Sequence, residues 1–110
     1  MEHKKISDNE TIDNIVKLGG FAPAYYQVEN IKTITEWWTI KAWLWNEHKF
    51  NVDTLPMADL NSNPIKEGYS YCNKWGKTES IISKKIWDSP IDAEKNGLKN
   101  AILFLMEIKK

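Results

Sequence analysis

Thr33-Ile34-Thr35-Glu36-Trp37-Trp38-Thr39-Ile40-Lys41-Ala42-Trp43-Leu44-Trp45-Asn46-Glu47-His48 places four of the chain's six tryptophans within nine positions. It reads as one helix over residues 33–48. At 100° per residue its apolar side chains cover roughly 260° of arc, whereas a surface helix docking on one core shows a single stripe. On the wheel Trp37, Ile40, Trp43 and Leu44 fall on one side, and Ile34, Trp38 and Trp45 on an adjoining side. Only one set is required by the domain's own core. Either the second set, Trp38 and Trp45 with Ile34, forms a homodimer or partner-binding surface, or both sets are internal, between sheet and C-terminal helix. Lys41 lies between the sets, where its stem can run along apolar surface while its ammonium reaches water.

N-terminal to this helix, Ser7-Asp8-Asn9-Glu10 has the form of a capping box, opening an amphipathic helix near residues 8–18. Ile12, Ile15, Val16 and Leu18 give it one apolar stripe, and Gly19-Gly20 supplies the left-handed residue that ends a helix. Residues 1–6 are expected to be a mobile terminus. Phe21 to Asn30 is aromatic, but Pro23 and the lack of a clear period suit a connector with a short extended piece.

C-terminal to it, Phe50, Val52 and Thr54 alternate with polar neighbours as a short strand, with Pro56 expected to stop it. Leu60 to Gly68 has the proline, glycine and amide content of a surface loop. Tyr69, Tyr71 and Trp75 share one side of a second strand, and Thr78 to Trp87 is a third β-rich run beyond a turn near Gly76, so this pair is expected to form an antiparallel hairpin. Ser89-Pro90-Ile91-Asp92 opens the last helix with a serine cap, a proline at the first helical position and an acid at the third. Ile91, Leu98, Ala101, Ile102, Leu105 and Ile108 form its apolar arc, while Gly97 and Ala101 allow close approach across the hairpin. The expected fold is a single α+β domain over residues 1–110, with a small antiparallel three-stranded sheet packed with helices in the order α–α–β–β–β–α.

Composition narrows the function classes. With 110 residues, 42% hydrophobic and 27% charged, the chain suits one ordinary globular domain. Fifteen basic and fifteen acidic residues cancel, leaving no global field to draw in nucleic acid or an anionic membrane. Residues 1–65 hold nine acids and six lysines, and residues 66–110 hold nine lysines and six acids, a mild asymmetry that self-association could use. The lone Cys72 gives no intramolecular disulfide or cysteine-rich zinc site and is read as a small apolar filler. The first residues form no apolar leader, and no run has the length of a membrane span, so a cytoplasmic location is expected.

Motifs for chemistry are few. His48 ends its helix, where it can meet the last carbonyls and the negative end of the dipole. Glu47-His48 lacks the second histidine of a zinc-protease helix, and His3 stands near the terminus, so no metal site is expected. Cys72 has no assignable base, no glycine-flanked serine follows a strand, and Gly19-Gly20 lacks the rest of a phosphate loop. No catalytic residue or cofactor is expected. Tyr71, Trp75, Lys74 and Lys77 outline a stacking surface with phosphate-binding charges, an alternative reading as a single-stranded nucleic-acid module on the hairpin 69–87. The competing reading is a hairpin with an aromatic inner face and a lysine-protected outer face.

Trp43-Leu-Trp-Asn-Glu-His48-Lys-Phe-Asn-Val52 and Trp87-Asp-Ser-Pro-Ile-Asp-Ala93-Glu-Lys-Asn-Gly97-Leu98-Lys-Asn-Ala101-Ile102 carry a resemblance. Together they resemble small uncharacterised proteins of gut Bacteroidetes and their prophages, which pair a Trp-Leu-x-x-x-His helix end with a C-terminal Ala-x-x-x-Gly-Leu-x-x-Ala helix. The likeness spans about a quarter of the chain. Trp45 stands where that pattern commonly has a basic residue, and Pro90 departs from its usual helix start. The resemblance implies a fold and a mobile-element origin, and carries over no functional residue. The expectation is a non-enzymatic cytoplasmic protein acting by contact with itself, as a homodimer, or with a host protein.

Overall fold

The computed structural model describes residues 4–19, 34–76, 81–83 and 85–108, with residues 34–36 and 81 by backbone only. The expected connector at 21–30, Gly20, Lys77, Lys84 and His3 lie outside the described residues. The elements are α1 (Asp8–Lys17), α2 (Ile34–His48), β1 (Phe50–Asp59), β2 (Lys66–Trp75) and α3 (Pro90–Ile108).

The starts of α1 and α3 follow local chemistry. Ser7 caps α1, its Oγ accepting from the Glu10 amide at 3.1 Å, and Ser89 caps α3 by accepting from the Asp92 amide at 3.2 Å. Gly19, at φ +77°, turns the chain away after α1. The buried face of α1 is Thr11, Ile12, Asn14 and Ile15, while Val16, expected in the stripe, is exposed. On α3 the buried face is centred on Leu98, Ala101, Ile102 and Leu105. Ile91 and Ile108, expected at the two ends of that arc, are exposed because the helix outruns the layer it packs on.

The expected three-stranded sheet and α–α–β–β–β–α order are corrected. The sheet is a two-stranded antiparallel hairpin and the order is α–α–β–β–α. β1 and β2 pair over their full ten residues, from Phe50 opposite Trp75 to Asp59 opposite Lys66. The loop between them is 60–65, anchored by Asp59, whose carboxylate accepts from the Asn61 amide and the Ser62 hydroxyl. The run expected as a third strand contributes a two-residue rung, Ile81–Ile82 against Asn73 and Cys72, and one bridge from Trp87 to Tyr69. Between these points the register shifts by two residues, since continuation of the first pairing would set Tyr69 opposite residue 85. Within the shift Ser70 Oγ donates to the Ser83 carbonyl at 2.9 Å, and Ser83 Oγ accepts from the Lys85 amide. Side chains thus take over rungs that a strand would have made.

Pro56, expected to stop β1, lies inside it. Its partner Tyr69 exchanges both main-chain hydrogen bonds with Trp87, each 2.8 Å, so Tyr69 turns its amide and carbonyl away from β1. In an antiparallel ladder the facing residue does the same. The missing N–H of Pro56 therefore falls on the outer edge of β1, where no ladder bond from the described residues needs it.

The helices cover one face of the hairpin. Phe50, Val52 and Tyr71 meet Trp37, Ile40, Leu44, Ile15 and the buried face of α3 in one core. Contact between α3 and the sheet is close: a Cβ on Gly97 would lie 2.7 Å from Val52 Cγ1 and 2.8 Å from Tyr71 Cβ. Lys4, in the segment expected to be mobile, is tied to α3, its amide donating to Asn100 Oδ1 at 2.8 Å and its carbonyl accepting from Asn100 Nδ2 at 3.0 Å. Ile6 beside it is buried, and Lys99 pairs with Asp8 at 2.6 Å across α1 and α3.

Candidate functional site

The core fixes how α2 is rotated about its axis. Trp37, Ile40 and Leu44 are buried, and Trp43 packs beside them with its ring edge-on to His48 at 4.8 Å. The Lys95 and Lys99 ammonium groups lie 5.9 and 5.7 Å from the Trp37 ring, drawing α2 towards α3. With that side committed, the adjoining side is turned out: Trp38 is 64% exposed and Trp45 53%. The third residue expected there, Ile34, begins the helix, and its side chain lies outside the described residues.

Trp38 and Trp45 are two turns apart and border an open groove of about 700 Å³, whose other lining residues are Lys41, Ala42, Asn51 and Glu94. Lys41 pairs with Glu94 across α2 and α3, so its charge is held at the rim. At the C-terminal end the Lys49 ammonium lies 5.5 Å from the Trp45 ring centroid. Lys49 itself turns at φ 52° between α2 and β1. Asn51 and Glu94 were missed by the sequence reading because they reach the groove from other elements.

Of the residues named for nucleic-acid contact, Tyr71, Trp75 and Lys74 are not brought together on one open surface, and Lys77 lies outside the described residues. Tyr71 is buried against Gly97 and Trp87, with ring centroids 5.5 Å apart in the latter pair. Burial pushes its phenol up to about 12, with the Ser83 hydrogen bond acting in the opposite direction. Trp75 shares that face; its indole N–H donates to the His48 carbonyl at 3.0 Å and its ring meets Phe104 edge-on. Lys74 is exposed and alternates to the other face of β2. His48 takes its expected place at the end of α2, with its carbonyl capped by Trp75. Cys72 is half-buried opposite Asp53.

A second concavity, about 560 Å³, lies at the far end of the hairpin between Tyr69, Glu67 and Asp88. Among the described residues no group of three or more His, Cys, Asp or Glu side chains converges. No described helix is long and apolar enough to cross a membrane. The chain matches no protein family, no curated protein and no solved structure.

Proposed function

We propose that this is a small non-enzymatic protein of phage or mobile-element type that works in the cytoplasm by protein–protein contact, assembling with itself through the outer face of α2. One observation carries the reading: two tryptophans stand more than half exposed on a helix whose adjoining side is locked into the core. Exposed indoles flanking a groove are typical anchors of protein contacts, each able to contribute about 2 kcal/mol or more. The balanced charge of the chain does not oppose association of like copies. The mobile-element origin rests on the resemblance of the α2 end and the α3 motif.

Light scattering after size exclusion over a range of concentrations tests it. The intact chain is expected to approach twice 12.8 kDa, and Trp38→Ala with Trp45→Ala to shift the dissociation constant upward by roughly 30-fold or more per ring while circular dichroism stays unchanged. A monomer at every concentration overturns self-association and redirects the search to a host partner. Loss of the helical signal in the double variant would instead place those rings in the core.

A further inference from the structure

We infer that the occupant of the groove is α2 of a second copy, running antiparallel, with the two-fold axis passing between Ala42 and Trp45. This rests on the self-association proposed above and adds its register. The exposed stripe reads Trp38, Ala42 and Trp45 on α2 and, one residue past the helix end, Lys49, whose ammonium lies over the Trp45 ring; the spacings of four, three and four residues make it the same length read in either direction. Reversed on itself about that axis, it sets Ala42 against the partner's Trp45 and Trp38 against the partner's Lys49. Large meets small and cation meets aromatic face, so one surface is complementary to itself, as a two-fold interface requires. The Lys49 ammonium already lies on an indole, that of its own Trp45, which shows that its stem reaches ring height on this face. Joined to a second ring, it would sit between two aromatic faces.

A parallel pair of the same stripe would bring Trp38 against the partner's Trp38 and Lys49 against the partner's Lys49. Ring would oppose ring over a gap at Ala42, like charges would meet, and the helix dipoles would align unfavourably. The antiparallel pair has none of these conflicts. Four rings, each more than half exposed, offer on the order of 500 Å² of aromatic surface. A stable interface buries about 1,200 Å² or more, so the remainder must come from the helix flanks, and the dimer is expected to dissociate on dilution.

The full chain with Lys49→Ala tests the register, with Lys49→Arg as the conservative control. The antiparallel register expects Lys49→Ala to raise the dimer dissociation constant roughly fivefold and Lys49→Arg to leave it near the wild-type value. A second readout uses the Cys72→Ser background: a mixture of Trp38→Cys and Lys49→Cys chains, held at a concentration above the dissociation constant that the lost ring raises, should give a mixed disulfide on oxidation, and neither variant alone should cross-link. A dimer unchanged or tightened by Lys49→Ala, or disulfides formed by either variant alone in place of the mixed one, overturns the register and leaves self-association standing. A wild-type chain that stays monomeric overturns both.

Discussion

Tyr71 shows how one residue couples packing to pH. Its ring fills the space between Gly97, Val52 and Trp87, and burial moves its phenol from 10 to about 12. Below pH 10 folded and unfolded chains both keep the proton, so stability is unaffected. Between pH 10 and about 12 the unfolded chain ionises first, and stability should fall by about 1.4 kcal/mol per unit, reaching about 3 kcal/mol beyond that window. Urea unfolding from pH 9 to 12 should therefore slope more steeply for the intact chain than for Tyr71→Phe; equal slopes would contradict the assignment. Nothing in the sequence distinguished Tyr71 as buried from Tyr71 as a stacking platform. Alternation put Tyr69, Tyr71 and Trp75 on one face, but which face α3 would cover depends on a glycine twenty-six residues away. Trp38 and Trp45 were easier to read, because the wheel alone separates them from Trp37, Ile40 and Leu44.

Among the elements, the helices were legible and the strand pairing was not. Caps act within four residues, so Ser7 and Ser89 announce their helices locally. A strand's partner is chosen at long range: the expected pairing of β2 with the run to Trp87 is cut down to the rung at Ile81–Ile82 and the bridge to Trp87, while β1, whose partner no local signal names, takes β2 over all ten residues. Pro56 misled for the same reason: whether a proline breaks a ladder depends on which way its nitrogen points, and that parity is set by the bond between Tyr69 and Trp87. In its actual place the proline leaves the outer edge of β1 without a donor that an added strand would use. Pro56→Thr restores a donor there. The variant should keep its unfolding free energy within about 1 kcal/mol of the wild type, yet aggregate faster on incubation, as followed by thioflavin fluorescence. Unchanged aggregation would show that the edge is protected by other means.

At the scale of the whole molecule, the described residues set α2 and α3 on one face of a two-stranded hairpin with α1 packed against α3, and side-chain ties replace extra strands. Asn100 holds the N-terminal segment as a paired strand would, and the Asp8–Lys99 and Lys41–Glu94 pairs join each of the other helices to α3. This arrangement frees α2 to use both of its apolar sides, one inward and one outward. The division of its indoles also makes the chain its own optical probe. Trp37 is buried, Trp43 and Trp87 are packed against the core, Trp75 is 36% exposed, and Trp38 and Trp45, at 64% and 53%, contribute most of the fluorescence accessible to a collisional quencher. If α2 is the contact, acrylamide should quench a dilute solution more efficiently than a concentrated one, with no label attached; quenching independent of concentration would place the contact elsewhere.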